Sequence, residues 1–260
     1  MQPDLFGERK DEAAIELLRE LEPAEGYYVA FSGGKDSIVI YDLAVRSGVA
    51  FDAHYSASVP DPPEVVYFIR EHYPEVEFDR AGTTMWALIV KKRYPPTRVA
   101  RYCCEALKER GGEGRTVVTG IRWAESVRRS KRRQIEACYT GRKNYLNPII
   151  NWTDQEVWAY IRDRGLPYCS LYDEGFTRIG CIMCPMKGVH IREDALRWPK
   201  YADAYRRACR RSLNRAIDDG LARPDWRYDS DDMYDWWLRA NRKGMGDQNQ
   251  EIMDFGEGDV

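Results

Sequence analysis

The 260-residue sequence contains no long apolar run and carries almost no net charge. No stretch is apolar for long enough to span a bilayer, and the first ten residues lack the apolar core of a secretion signal. Its 40 Lys and Arg residues are opposed by 42 Asp and Glu residues, so the formal net charge of -2 gives no overall attraction to nucleic acid or to a membrane surface. We therefore expect a cytoplasmic protein with no membrane partner.

Histidine is scarce, and the cysteines lack the even spacing of a disulfide framework. The three histidines, at positions 54, 72 and 190, have no metal-ligand spacing, and we assign them no chemistry. Seven cysteines in a reducing compartment indicate metal or sulfur chemistry instead. With 43% hydrophobic residues, the chain can bury the core of one large domain, or of a domain with an appendage.

A short glycine-containing segment carries the clearest functional signal. It follows an apolar, strand-like run at residues 27–31 and precedes a helix-like run at residues 38–44, which predicts strand, tight loop and helix. Its residues are Ser32, Gly33, Gly34, Lys35, Asp36 and Ser37. Glycines allow a sharp bend and a close approach to a ligand, and free amides at a helix start attract anions. Lys35 adds a cation, the serines add hydroxyl donors, and Asp36 would help hold a Mg²⁺ ion that bridges phosphates.

The segment lacks the spacing of a Walker A loop, because its lysine directly follows a Gly-Gly pair. It resembles the PP-loop, whose signature Ser-Gly-Gly-x-Asp-Ser belongs to ATP pyrophosphatases. These enzymes split ATP between the α and β phosphates and commonly adenylate a substrate oxygen. The alternative is an ordinary serine-glycine turn with a solvated lysine.

Strand-like and helix-like segments alternate through the first half of the chain. This alternation predicts an α/β fold with a doubly wound, mostly parallel sheet and a ligand at the carboxyl ends of its strands. Thr153 and Glu156 have the spacing of a capping box at a helix start. We expect a nucleotide-binding domain over residues 1–190 and a helical extension over residues 191–260, with helices at 191–219 and 230–242 and an acidic tail from Gly244.

Five cysteines are candidate metal ligands. They are the adjacent pair Cys103 and Cys104, the C-x-x-C pair Cys181 and Cys184, and the upstream Cys169. Thiolates select zinc or iron-sulfur clusters, and side chains of adjacent residues diverge, which suits the separate corners of a cluster better than one zinc ion. A structural zinc site and unrelated buried thiols remain alternatives. Cys138 and Cys209, which are isolated in sequence, are expected to be inert.

The sequence around these cysteines resembles the phosphoadenosine phosphosulfate (PAPS) reductase family over residues 25–190. The similarity rests on Cys103-Cys104 followed by Leu107-Lys108, on Gly120-Ile121-Arg122 with Glu125-Ser126, and on the segment from Leu171 to Cys184. It implies a Rossmann-like fold of the adenine nucleotide alpha hydrolase type. In the family's adenosine phosphosulfate-using members the two cysteine pairs bind a 4Fe-4S cluster, which implies that role for Cys103, Cys104, Cys181 and Cys184, with Cys169 as a competing ligand.

Two departures from the reductases bear on function. Their nucleophilic cysteine lies in a C-terminal Glu-Cys-Gly-x-His motif that is absent here, and no cysteine follows Cys209. They also carry a modified phosphate loop, whereas this chain keeps the full Ser-Gly-Gly-Lys-Asp-Ser. Both departures favour ATP-using relatives such as the sulfurtransferases of DNA phosphorothioation and tRNA thiolation. We expect ATP cleavage to AMP and pyrophosphate, with Mg²⁺, and sulfur transfer to a nucleic acid (tRNA or DNA) or a small molecule. A cysteine desulfurase is an expected sulfur donor.

Two other functions stay open. One is a PAPS or adenosine phosphosulfate reductase that makes sulfite, and the other is a nucleotide-binding module with a structural zinc site.

A basic segment follows the glycine that ends the fourth predicted strand, Gly120. It contains Arg122, Arg128, Arg129, Lys131, Arg132, Arg133, Arg142 and Lys143. We expect Gly120, Arg122 and Arg128 to contribute to the nucleotide site, with Lys35, Asp36 and Arg122 as the catalytic residues. Residues 131–133 would either follow a nucleic-acid backbone or form a solvated surface. Six tryptophans are expected to pack in the core or between domains, with base stacking as the alternative: Trp152, Trp158, Trp198, Trp226, Trp236 and Trp237.

Overall fold

The computed structural model describes residues 9–58, 60–137, 143–222 and 231–240. The predicted acidic tail from Gly244 lies outside these residues, as do Cys138, Arg142 and Trp226. Over the described ranges, no helix is both long enough and apolar enough to cross a bilayer.

The described residues form an α/β fold around one six-stranded sheet. The strands are β1 (Tyr27–Ala30), β2 (Phe51–Ala57), β3 (Glu77–Arg80), β4 (Thr116–Val118), β5 (Ile135–Ala137) and β6 (Asn144–Leu146). The helices are α1 (Lys10–Glu20), α2 (Lys35–Ser47), α3 (Pro63–His72), α4 (Met85–Lys92), α5 (Tyr102–Leu107), α6 (Asp154–Arg164), α7 (Ile191–Arg197), α8 (Pro199–Asp218) and α9 (Asp232–Ala240).

The sheet has the order β3-β2-β1-β4-β6-β5. Four neighbouring pairs are parallel, and only β5 and β6 are antiparallel. The chain builds outward from β1 through β2 to β3 and then returns to place β4 on the other side of β1. The β1/β4 boundary is therefore the topological switch point, where open α/β sheets bind their ligands. The predicted fold class is confirmed.

Helix α2 follows β1 directly and is anchored by its apolar side chains. Ile38, Ile40 and Leu43 are fully buried, so the helix start is held firmly against the sheet. Helix α6 begins with the predicted capping box. Thr153 Oγ1 accepts from the Glu156 amide at 3.2 Å, and Glu156 Oε2 accepts from the Thr153 amide at 2.7 Å.

Two local features differ from the sequence expectation. Residues 84–110, expected to be mostly helical, contain two short helices, α4 and α5, because Pro95 and Pro96 cannot continue a helix. The β5–β6 hairpin was not expected. Its strands have three residues each, and all of their side chains except that of Leu146 are exposed or half-buried, so they give almost no apolar pattern.

The chain divides into two compact units. The first contains the whole sheet and is formed by residues up to Leu88 together with Arg101–Ile182. The second is formed by Ile89–Ala100 and by residues from Met183 onward, including α7, α8 and α9. In this unit Trp237 is fully buried, stacks on Tyr205 at 4.8 Å and donates to the Pro96 carbonyl at 2.6 Å, as expected for a packing tryptophan. The predicted boundary at residue 190 stays a prediction.

Two glycines of one helix allow a matched stability experiment. Gly33 and Gly48, at the two ends of α2, have φ of +71° and +72°. A Cβ at Gly33 would lie 2.8 Å from Val65 Cγ1, whereas one at Gly48 would meet nothing within 4 Å. We expect Gly48→Ala to lower the free energy of unfolding by about 1 kcal/mol, from backbone strain alone. Gly33→Ala should lose about 1–3 kcal/mol more from overpacking, as measured by urea denaturation. Equal losses would show that the loop has room for a side chain.

Candidate functional site

The predicted phosphate loop lies at the carboxyl end of β1, beside the carboxyl end of β4. Gly33 has a left-handed backbone, and its missing side chain lets the loop pass over Val65 and Ile69 of α3. Gly120, after β4, packs against the start of α2, because a Cβ there would come within 2.9 Å of Asp36 Cβ and 3.0 Å of the Asp36 backbone. The segment after β4 and the loop after β1 are therefore in direct contact.

The first turn of α2 has no side-chain cap, since its N-cap residue is Gly34. Ser37 Oγ donates to the Gly34 carbonyl at 2.8 Å and lies 3.2 Å from Ser32 Oγ, which orders the loop. The Lys35 amide donates to the Tyr172 hydroxyl at 2.9 Å. An oxygen acceptor therefore already sits at this helix N-terminus, where the amides and the helix dipole favour an anion.

Four charged side chains form a network beside the loop. Lys35 Nζ lies 3.4 Å from Asp36 Oδ2 and 3.5 Å from Asp154 Oδ1. The Arg122 guanidinium is 1% exposed; it donates to Asp36 Oδ1 at 2.7 Å, to the Trp152 carbonyl at 3.1 Å and to Asp154. Burial alone would raise the pKa of Asp154, but Lys35 and Arg122 outweigh it and lower that pKa. Asp154 is thus held as a carboxylate, although its side chain is 67% exposed.

The structure brings some of the predicted site residues together and leaves others apart. Lys35, Asp36 and Arg122 are brought together, whereas Arg128 is exposed and makes no ion pair among the described residues. Arg122, expected to contact phosphate, has its guanidinium directed at two carboxylates and a carbonyl. In this structure it positions Asp36, and its direct contact with phosphate stays a prediction.

Three of the predicted cysteine ligands belong to the first unit and are half-buried: Cys103, Cys104 and Cys181. The pKa of the Cys104 thiol is lowered to about 6, mainly by a hydrogen bond with Cys103. Burial alone would raise this pKa, but Arg101, which donates to Cys104 Sγ at 3.4 Å, lowers it further. These contacts favour the thiolate form of Cys104, the form that binds metal.

Lys108 links the two cysteine segments of the first unit. Its ammonium lies 3.5 Å from Asp61 Oδ1. Burial alone would lower the pKa of Lys108, but Cys181, Asp61 and Cys104 together raise it. The Cys181 segment is also fixed by its backbone, since the Ile182 amide donates to the Pro60 carbonyl at 2.6 Å. A cation thus stands among thiol groups that come from distant parts of the sequence.

The remaining cysteines have other surroundings. Cys184 belongs to the second unit, where its carbonyl accepts from the Lys187 amide at 2.9 Å. Cys169 is 1% exposed, and burial raises the pKa of its thiol, which makes it a poorer ligand than Cys104. Cys209 is fully buried, and burial raises its thiol pKa. This environment agrees with the inert role expected for Cys209.

Comparison with known proteins places these residues in a family. Residues 26–187, more than half of the chain, match the model of the phosphoadenosine phosphosulfate reductase domain. The chain belongs to the PAPS reductase family. The loop and the fold are those of the wider PP-loop, adenine nucleotide alpha hydrolase superfamily.

Individual relatives agree with this membership. An adenosine 5'-phosphosulfate reductase of Staphylococcus epidermidis is 40% identical over 168 residues, which are 59% of this chain and 68% of that protein. An uncharacterized protein of Methanocaldococcus jannaschii is 32% identical over 171 residues; the matched stretch is 60% of this chain but spans only 35% of the relative's length. A PAPS reductase structure from Candida auris, at 19% identity and a TM-score of 0.51, covers 68% of this chain and 90% of its own and shows the shared fold.

Two residues of this PAPS reductase-family site were missed in the sequence. Asp154 is the first residue of α6, where an acidic side chain is usually explained by the helix dipole. Tyr172 lies within the family-like segment, but nothing in its local pattern indicates a contact with the Lys35 amide, 137 residues away.

The basic segment after β4 is only partly free for binding. Arg129 pairs with Glu125 and Arg132 with Glu136, while the Lys143 ammonium donates to the carbonyls of Glu109 and Gly111. Arg128, Lys131 and Arg133 are exposed and make no ion pair among the described residues. Within the part of the chain that the structure describes, these three side chains are the cations of the basic segment that pair with neither a carboxylate nor a backbone carbonyl.

Two arginines form ion pairs with carboxylates of α2, and replacing each of them measures how much the buried network contributes to stability. Arg122→Gln removes the donor to Asp36 and Asp154, so we expect the free energy of unfolding to fall by about 3 kcal/mol. Arg164→Gln removes a pair to Asp42 that is 45% exposed at the arginine and should cost less than about 1 kcal/mol. Urea denaturation of both variants measures the difference. If Arg122→Gln were no more destabilising than Arg164→Gln, the buried guanidinium would not be what holds the loop.

Proposed function

We propose that this chain is an ATP pyrophosphatase that cleaves ATP to AMP and pyrophosphate to activate an acceptor oxygen, and that its cysteines hold a 4Fe-4S cluster used in sulfur transfer. The observation that carries the first half is the intact Ser-Gly-Gly-Lys-Asp-Ser loop with its charged network at the switch point. The cysteine set in the first unit supports the second half.

The loop binds the phosphates through its amides and through Lys35. The first-turn amides of α2 offer N–H donors to an anion, and the dipole of a 13-residue helix adds to their effect. A phosphate that enters replaces the Tyr172 hydroxyl as the acceptor of the Lys35 amide. Lys35, now 3.4–3.5 Å from two carboxylates, has the reach to pair with phosphate oxygens instead.

Asp36 and Asp154 would hold Mg²⁺. They supply the carboxylate oxygens that Mg²⁺ prefers, and the ion usually binds through one or two carboxylates together with substrate phosphates. When bound, the ion neutralises charge on the leaving pyrophosphate. Arg122 keeps Asp36 at its position, and Lys35 stabilises the same developing charge from the loop.

The cysteine set fits an iron-sulfur cluster better than one zinc ion. Sulfur ligands of a tetrahedral zinc ion lie roughly 3.8 Å apart. Cys103 and Cys104 are adjacent, and side chains of adjacent residues diverge, which suits the separate corners of a cluster. Cys103, Cys104, Cys181 and Cys184 would hold the cluster, which supplies a centre that carries or delivers sulfur. Lys108, which interacts with Cys104 and Cys181, lowers the cost of gathering thiolates.

A reductase is the second candidate. It is favoured by the 40% identity to the S. epidermidis adenosine 5'-phosphosulfate reductase. Such an enzyme would release sulfite from the activated sulfate without ATP. The nucleic-acid or small-molecule acceptor, the cysteine desulfurase donor and the cytoplasmic location stay predictions from the sequence.

The first test follows the fate of the α-phosphate. Protein purified without oxygen is incubated with Mg²⁺ and ATP labelled at the α position, and the labelled products are separated by chromatography. We expect labelled AMP and unlabelled pyrophosphate. Asp36→Asn should lower kcat by a factor on the order of 10², because it removes a ligand of the metal and a partner of Arg122.

Asp42→Asn, on the same helix but away from the loop, is the matched control and should keep its activity. Labelled ADP instead of AMP would contradict the pyrophosphatase. Sulfite release from adenosine phosphosulfate or PAPS in the absence of ATP would establish the reductase instead.

The second test concerns the cluster. The anaerobic protein should show broad absorption near the blue end of the visible spectrum and should contain iron and acid-labile sulfide. Cys181→Ser should lose both, whereas Cys169→Ser should keep them, because the Cys169 thiol is buried with a raised pKa. Stoichiometric zinc without iron would support the structural-zinc module. Loss of the cluster in Cys169→Ser would move that residue into the ligand set.

A further inference from the structure

A second polar cluster lies on one face of the sheet and contains no residue of the phosphate loop. Strand pairing creates it, since the parallel register sets His54 opposite Glu77 and Ser56 opposite Asp79. Its members are Tyr28 on β1, Asp52 and His54 on β2, Glu77 and Asp79 on β3, and Arg115 just before β4.

Three ligand-type atoms of this cluster face one another. His54 Nδ1 lies 3.1 Å from Asp79 Oδ1 and 3.9 Å from Glu77 Oε2, and the three atoms all lie within 4.8 Å of each other. Ligand atoms around a cation with bonds near 2.1 Å are separated by roughly 3–3.5 Å. A small adjustment of the exposed Glu77 side chain therefore completes a set of one imidazole nitrogen and two carboxylate oxygens.

The remaining polar atoms of these side chains are held by a second layer of contacts. The other ring nitrogen of His54 faces Asp52, which in turn accepts from Arg115 at 2.7 Å. The other oxygen of Asp79 accepts from the Tyr28 hydroxyl at 2.8 Å. The Tyr28 ring stacks on His54 at 4.2 Å with a 9° interplanar angle. Carboxylate–histidine pairs of this kind orient the imidazole of metal sites and leave one nitrogen for the ion.

Charge and access also favour a cation. Arg115 balances Asp52, so an ion that replaces the proton between His54 Nδ1 and Asp79 faces the two negative charges of Glu77 and Asp79. The side chain of His54 is 12% exposed, that of Asp79 40% and that of Glu77 67%. An ion can therefore enter from solvent and keep water in its open positions.

We propose that His54, Asp79 and Glu77 bind a divalent transition-metal cation of the Zn²⁺ or Mn²⁺ type. Mixed imidazole and carboxylate donors suit these ions. Asp52 and Tyr28 are positioning residues for the two central ligands. The site is independent of the proposed nucleotide chemistry, because none of its residues belongs to the loop network or to the cysteine set.

The test uses Mn²⁺ and the full-length chain without nucleotide. Mn²⁺ binds oxygen and imidazole ligands in preference to thiolates, so the cysteines contribute little. Free Mn²⁺ is followed by electron paramagnetic resonance during titration. His54→Ala and Asp79→Asn should each weaken binding at least tenfold, and Asp52→Asn by about 10–100-fold, since it removes only the orienting contact.

Two variants serve as matched controls. His190→Ala removes a histidine whose Nδ1 lies 2.8 Å from Glu193 but which belongs to no group of three ligand atoms among the described residues, so it should bind Mn²⁺ normally. Asp42→Asn removes a carboxylate that pairs with Tyr160 and Arg164 and belongs to neither site, so it should also bind Mn²⁺ normally. Circular dichroism checks that each variant is folded. Asp79→Asn keeps an acceptor for Tyr28 and is the variant least expected to disturb the sheet.

Two outcomes would overturn the site. One is that the Asp79→Asn and His54→Ala variants both fold and bind Mn²⁺ with the affinity of the wild type. The other is binding that is lost in Asp36→Asn and kept in His54→Ala, which would assign the ion to the phosphate loop.

Discussion

The buried guanidinium of Arg122 is the constraint on which the loop site depends. It follows β4, yet it donates to Asp36 on α2 and to Asp154 on α6, so one side chain joins three elements at the switch point. A buried charge is tolerated only when its partners offset the loss of hydration. The two carboxylates therefore stabilise the buried charge, and the segment containing Gly120 packs against the loop.

This arrangement determines how a nucleotide would enter. Asp36 already accepts from Arg122 at one oxygen and lies near Lys35 at the other. A bound phosphate would attract Lys35 away from the carboxylates of Asp36 and Asp154. A divalent cation that binds together with the phosphates would then balance the charge of these two carboxylates. Under the proposed function, Arg122 would keep its hydrogen bond to Asp36 during this exchange and would hold Asp36 in position. The network of the empty loop would then serve as the binding site.

Sequence reasoning succeeded where the determinants are contiguous. The loop is six adjacent residues between a strand and a helix, so its place in the fold could be predicted, and the capping box at Thr153 needed only residues three apart. Asp154, Tyr172 and the cluster around His54 could not be predicted, because strand register and tertiary contacts bring them together. His54 and Glu77 become neighbours only once β2 pairs with β3. The spacing of these residues along the chain does not indicate that pairing.

A buried carboxylate also fixes the backbone between the two cysteines of the C-x-x-C pair. Met183, between Cys181 and Cys184, has φ of +55°, a conformation that costs a non-glycine residue about 1–2 kcal/mol. Its amide donates at 2.6 Å to Asp194, which is 2% exposed and also accepts from Lys187 at 2.6 Å. A charged acceptor strengthens this hydrogen bond and offsets the strain. The buried carboxylate therefore fixes the backbone directly before Cys184.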